Sequence, residues 1–264
     1  MDTIQAIILG IVQGITEFLP VSSSGHLQIA KALLGVEIEE NLLFDVTLHA
    51  ATVLSTIVVL WHEVAQLLRG LFSRRFNAEQ AYILKLLLSM IPIGIVGFTL
   101  KDRLDALLES PAILLVVGCM LLVTAALLAF AYYAKPRPKA QLSYRDAFII
   151  GVAQAAAALP GLSRSGSTIA TGLLLGNRKE TVAQFSFLMV LVPILGETFL
   201  ELIKGNLGAQ AIGTAPLAAG FLASFVVGCL ACKFMIEIVK RGKLVWFALY
   251  CAAAGLVSIL SYVL

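Results

Sequence analysis

Charge is what this chain has least of: Asp, Glu, Lys and Arg make up 13% of its 264 residues, while 59% are hydrophobic. Soluble domains carry about a quarter of their residues charged, so a water-soluble fold is excluded and an integral membrane protein is indicated. Basic residues are missing ahead of the first apolar run, Ile4–Val12, and no small-residue cleavage signal follows it. That run is expected to belong to the fold and not to a removable signal peptide. The net charge is only +3, too small to suggest a nucleic-acid partner. Cysteine is scarce and lies wholly inside apolar runs, at Cys119, Cys229, Cys232 and Cys251. Cys229 and Cys232 spell C-x-x-C, but no other metal-type ligand is near. All four are therefore expected to be small buried hydrophobes.

The polar residues that remain are concentrated. Gln13-Gly-Ile-Thr-Glu17-Phe-Leu-Pro20-Val-Ser22-Ser23-Ser24-Gly25-His26 gathers a carboxylate, three hydroxyls and an imidazole between apolar flanks. Pro20 cannot continue a helix, because it has no N–H and clashes with the preceding turn. Broken backbone at membrane depth is tolerated only where protein covers it or where it lines a polar cavity. The stretch reads as a re-entrant helix–break–helix element that builds a site.

The chain then repeats it. A shift of 141 positions lays Ala6–Gly35 over Ala147–Gly176, with identities at Gly10/Gly151, Gln13/Gln154, Ser22/Ser163, Ser24/Ser165, Gly25/Gly166 and Gly35/Gly176. Interrupted hydrophobic segments at matching places in two halves point to a binding site near the membrane midplane. The mismatches matter more: Glu17 meets Ala158, Ser23 meets Arg164 and His26 meets Ser167. One copy carries acid–base groups and the other a cation, which suggests chemistry on an anion.

The expected architecture is an all-α membrane domain over residues 1–264, with repeats at 1–140 and 141–264. Six spans are expected: Phe44–Leu60, Ile83–Leu100 with a kink at Pro92, Ile113–Tyr133, Phe185–Ile203, Ala215–Met235 and Leu244–Leu264. Each has about the 20 residues needed to cross a bilayer. Three spans per half, an odd number, make the halves inverted. The loops 62–81, 134–146, 177–182 and 234–243 hold three, four, two and three Lys or Arg, twelve in all; the opposite loops, 36–43, 101–111 and 205–213, hold two. The positive-inside rule puts the first set in the cytoplasm and both termini outside. This segregation also requires each broken element to return to the side it entered from.

Glu17 stands one turn after Gln13, on the same helix face. An ionisable group inside a membrane segment is a functional hypothesis by default, here as a ligand to a divalent cation, with Gln13 beside it, or as a partner orienting a histidine. His26 suits general acid or base work. Arg164, in Pro160-Gly-Leu-Ser-Arg164-Ser-Gly-Ser-Thr168, matches a phosphate clamp assisted by helix N-terminal amides, and also a structural partner for Glu17. Ser22, Ser24 and Gly25 in the first break, and Ser163, Ser165, Gly166 and Thr168 in the second, are the expected phosphate-binding groups. His49, near Asp45, is a supporting candidate. Glu197 and Glu201, with Lys204, read as an interfacial ion pair, and His62 as solvated.

On these two motifs the sequence resembles the undecaprenyl-diphosphate phosphatase family of the bacitracin-resistance type, over essentially its whole length. The family's first motif carries Glu or Gln, three residues, then Glu; Gln13 takes the first place here, leaving Glu17 as the acid. Phe44-Asp45-Val-Thr-Leu-His49-Ala-Ala-Thr52 also resembles the family's following span, with Ala51 where a Gly is often found. The resemblance implies six transmembrane helices and two re-entrant elements in inverted repeats. It implies release of one phosphate from undecaprenyl diphosphate, a lipid diphosphate, with dependence on a divalent cation, Mg2+ or Ca2+. The reaction would take place on the outer face of a bacterial inner membrane, recycle the carrier for peptidoglycan synthesis and confer bacitracin resistance. Within that reading Ser23 is the leading nucleophile and a metal-activated water the alternative, with His26 moving the proton. A lipid-carrier flippase using the same anion site is the rival class, and a homodimer is left open.

Overall fold

The computed structural model describes residues 1–36, 42–108, 110–133, 139, 141–196 and 212–263. The described residues form helices α1 (Thr3–Phe18), α2 (Ser23–Leu33), α3 (Leu42–Val59), α4 (Trp61–Leu71), α5 (Ala78–Thr99) and α6 (Lys101–Leu108). They continue as α7 (Ile113–Tyr133), α8 (Tyr144–Ala156), α9 (Arg164–Leu174), α10 (Lys179–Met189), α11 (Thr214–Arg241) and α12 (Val245–Val263). Among the described residues five helices are long and apolar enough to cross a membrane: α5, α7, α11, α12 and the Lys179–Gly196 segment that contains α10. Leu43–Val59 and Trp61–Leu71, bent by 82°, pass the same test together.

The chain is inside-out relative to a soluble protein. Leu222, Val226 and Leu230 are exposed along one face of α11, while Gly220, Ser224 and Gly228 are buried on another. A bilayer suits the first face, and the second lets backbones approach, which is how helices associate where lipid competes for apolar contact. Gly10 of α1 uses that approach. A Cβ there would stand 2.4 Å from the Gly220 carbonyl oxygen, and one on Gly151 of α8 would stand 2.4 Å from that of Ser89 on α5. Thus α1 packs on α11 and α8 packs on α5, while α7 packs on α12. The two broken elements also end alike. Leu34, Gly35 and Val36 N–H groups bond the carbonyls of Ala30, Ala32 and Lys31; Leu175, Gly176 and Asn177 repeat this on Thr171, Leu173 and Gly172.

Several expectations need amending. The 62–81 stretch, read as a loop, contains α4, an amphipathic helix with no buried residue; its apolar positions are too few to span and were hidden by Arg69 and the polar residues around them. The 101–111 loop contains α6. The second span starts earlier, at Ala78, because Asn77 and Gln80 close a capping box. The fifth runs on to Arg241 and stops at Gly242, whose φ is +71°. Cys119 is exposed, not buried; a thiol tolerates lipid as well as core. Glu197, Glu201, Lys204 and most of the loop 205–213 lie outside the described residues. Lys139, in the 134–146 loop, bonds both carboxylate oxygens of Asp146 at 2.9 Å.

Candidate active site

The two breaks meet. Ser165 Oγ donates to the Leu19 carbonyl at 3.1 Å, and a Cβ on Gly166 would stand 3.2 Å from Pro20 Cβ. At this junction Glu17, buried at the end of α1, collects three donors. Gln13 Nε2 reaches Oε2 at 3.0 Å, Ser23 Oγ donates to Oε2 at 2.7 Å, and Arg164 Nη2 closes on Oε1. The Glu17 side chain is 5% exposed and that of Arg164 is 26% exposed, so the pair has one wet end. A cavity of about 240 Å3 opens beside it, lined by Glu17, Ser22, Ser23, Ser24, His49, Gln154 and Arg164 among others. Thr52 and Thr56 of α3 line a small adjoining recess with the same ion pair.

The two breaks use their serines differently. Ser163 caps α9, accepting from the Gly166 N–H at 3.1 Å. Ser22 sits at the matching place before α2 but has φ +70° and makes no side-chain cap. It is the sole described non-glycine residue with positive φ, a strained conformation of the kind that collects at functional sites. The first-turn amides of α2 therefore keep no side-chain acceptor, and a helix N-terminus with free N–H groups favours an anion.

Of the sequence-predicted residues, Glu17, Ser22, Ser23, Ser24 and Arg164 line the cavity together, and Ser165 lines the adjoining recess. Gly25, Ser163, Gly166 and Thr168 do not; Thr168 Oγ1 is 2.6 Å from Ser186 Oγ, in the core. His26 stands apart from the cavity lining. Its Nδ1 lies 2.9 Å from the Ser22 carbonyl and its Nε2 lies 2.5 Å from the Tyr250 hydroxyl. His49, expected only as support, lines the cavity itself. Sequence reasoning missed Tyr250, which stands 224 positions from its partner with no local signal. It also missed Gln154, although its match to Gln13 was the available clue. Lys31 was overlooked as well: it is 1% exposed and bonds Asp45 Oδ2 at 2.6 Å, joining α2 to α3.

Among the described residues no three His, Cys, Asp or Glu cluster as a metal cage. Glu17 is the one described carboxylate lining the cavity, and its two oxygens already meet Gln13, Ser23 and Arg164; a divalent ion there would draw its other ligands from the substrate's phosphate oxygens. The Gln13 carboxamide oxygen is buried without a partner.

The chain that carries this arrangement of carboxylate, hydroxyl and guanidinium matches a known family. Residues 6–257 match the model described as bacitracin resistance protein BacA. The chain belongs to the BacA family. Relatives over nearly the full length carry one name. The undecaprenyl-diphosphatase of Parabacteroides distasonis is 62% identical over 262 residues, 98% of each chain. That of Bacteroides thetaiotaomicron is 58% identical over 264 residues, 99% of each chain. That of the more distant Methanosphaera stadtmanae is 36% identical over 280 aligned positions, 98% of each chain. The BacA family match spans both breaks, so the junction of Glu17 with Arg164 lies wholly within it.

Proposed function

We propose that this protein hydrolyses undecaprenyl diphosphate to undecaprenyl phosphate and inorganic phosphate, so returning the lipid carrier to cell-wall synthesis and lowering sensitivity to bacitracin. The observation that carries the chemistry is the Ser23 hydroxyl donating to Glu17 Oε2 at 2.7 Å, with Arg164 on the other carboxylate oxygen. A nucleophile hydrogen-bonded to a base that is itself oriented by a third group is the usual form of covalent catalysis. Ser23 Oγ attacks the terminal phosphorus as its proton passes to Glu17, and the bond to the bridging oxygen breaks. Arg164 and the first-turn amides of α2 hold the phosphoryl oxygens as charge develops on them. His26 exchanges the proton that water brings when it releases phosphate from Ser23. A divalent cation, when bound at Glu17 and the diphosphate, would neutralise charge on the phosphoryl oxygens. A carrier that only moved the lipid would need the cation and amides but not the hydroxyl–carboxylate couple.

The same reading extends to architecture. Six spans and two re-entrant elements in inverted repeats are supported by the exchange of partners, α1 on α11 and α8 on α5, and by the matched ends of α2 and α9. In this arrangement α3 is the first span and α4 lies along the cytoplasmic interface. The loop charge supports a bacterial inner-membrane protein with its termini and site facing outward. Phosphate release by purified protein from undecaprenyl diphosphate, with Glu17→Gln and Ser23→Ala as controls, is the test. Absence of release, with lipid movement across vesicles retained, would favour the flippase.

A further inference from the structure

The last span carries a residue that neither break anticipates. Tyr250, on α12, places its hydroxyl 2.5 Å from His26 Nε2, and the two rings lie 5.6 Å apart at 23°. His26 Nδ1 lies 2.9 Å from the Ser22 carbonyl oxygen. A carbonyl has no hydrogen to give, so Nδ1 must carry the proton of that bond. In the neutral ring Nε2 then holds the lone pair, and the Tyr250 hydroxyl is its donor. The carbonyl belongs to Ser22, the residue with φ +70°. The next residue of α12, Cys251, donates from Sγ to the Pro20 carbonyl at 3.3 Å. Two consecutive residues of the final helix thus fasten the first break, one through its backbone and one through its histidine.

We propose that Tyr250 is a positioning residue for His26, holding the imidazole as the neutral Nδ1–H tautomer with Nε2 ready to accept a proton. The proposal rests on the phosphatase reading above, in which His26 exchanges the proton. When it does, an O–H bond of the attacking water breaks as Nε2–H forms, the water oxygen bonds the phosphorus as the Ser23 Oγ–phosphorus bond breaks, and the Tyr250 hydroxyl turns from donor to acceptor of the Nε2–H. Tyr250 itself ends unchanged.

The test compares Tyr250→Phe, His26→Ala and the double variant in a phosphate-release assay, with side-chain 15N NMR of the detergent-solubilised protein. The chain has three histidines, so assignment by substitution is direct. Tyr250→Phe should lower kcat about tenfold, the size of one hydrogen bond, with KM unchanged. Adding it to His26→Ala should change nothing further. The wild-type His26 should show a protonated Nδ1, and in Tyr250→Phe its Nε2 resonance should move to that of a lone pair without a donor. Wild-type kcat in Tyr250→Phe, a further loss on the His26→Ala background, or a wild-type ring protonated at Nε2 alone would each overturn the proposal. Should the wild type release no phosphate, the phosphatase reading fails, and the NMR comparison still decides whether Tyr250 sets the tautomer.

Discussion

Glu17→Gln keeps the shape of the side chain and removes both its charge and its proton-accepting role. Three donors converge on that carboxylate, from Gln13, Ser23 and Arg164. An amide offers one acceptor oxygen and one NH2 group, so at least one donor would face another donor. An ion pair near contact in an effective dielectric of about 20 interacts by roughly 4 kcal/mol. Arg164 is partly exposed, so water recovers a share when it is left alone, and burying a neutral Gln costs less than burying Glu. The net loss should be about 2–3 kcal/mol, a fall in thermal midpoint of roughly 5–10 °C. Turnover should fall by about 10^2–10^4, the usual worth of a general base. The double variant Glu17→Gln/Arg164→Met removes the stranded charge, so it should regain most of the midpoint and none of the activity. The assays are phosphate release in micelles and thermal unfolding followed by tryptophan fluorescence. A single variant within tenfold of wild-type kcat would show that the carboxylate is not the base. A double variant no more stable than the single would show that the pair does not hold the two breaks together.

Ser23→Ala should abolish turnover while leaving binding of the lipid diphosphate within about threefold; substantial release would make water the attacking group. Lys31→Met should cost about 2–3 kcal/mol because it strands the Asp45 carboxylate, whose Oδ1 already lacks a partner; Lys31→Met/Asp45→Asn should recover most of it in the same unfolding assay. Gly10→Val and Gly151→Val should each destabilise by about 1–3 kcal/mol through overpacking, since each new side chain meets a backbone carbonyl; a neutral outcome at either would mean that those helices are free to separate. In a chain freed of its four cysteines, a cysteine at Asn206 should react with an impermeant thiol reagent on intact cells and one at Lys139 should not. The reverse pattern would overturn the outward-facing site.

The sequence exposed most of the frame because the bilayer simplifies it: long apolar runs have few alternatives to spanning. Ile113–Tyr133 is the clearest case, with the same bounds in sequence and structure. The breaks were legible for the opposite reason, since Pro20 and Pro160 with their serines are costly unless they build something. α4 was not legible, because an eleven-residue amphipathic helix turned 82° from α3 resembles a polar loop in composition. Within the site, Glu17 and Arg164 could be found from type and spacing, whereas Ser23 stood out from its neighbouring serines only within the family resemblance. Tyr250 could not, since its hydroxyl acquires meaning only where α12 passes the first break. Lys31 could not either, since its partner Asp45 lies on a different helix.

The two breaks start from nearly the same serine pattern and end in different states. The Oγ atoms of Ser22 and Ser24 are 3.3 Å apart, and those of Ser163 and Ser165 are 3.4 Å apart. In the second break Ser163 caps its helix and Ser165 grips the Leu19 carbonyl. Its hydroxyls are thus committed to structure, and Arg164 is the group it projects to Glu17. In the first break the cap is withheld: Ser22 is held at φ +70° and its carbonyl is bound by His26, while Ser23 turns to Glu17. Such strain persists only where the surroundings over-determine it, and here the surroundings include the relaxed second break pressed against Leu19 and Pro20. The well-capped break thus buttresses the strained one: Ser165 holds the Leu19 carbonyl, while the hydroxyl–carboxylate couple of Ser23 and Glu17 lies in the first break alone.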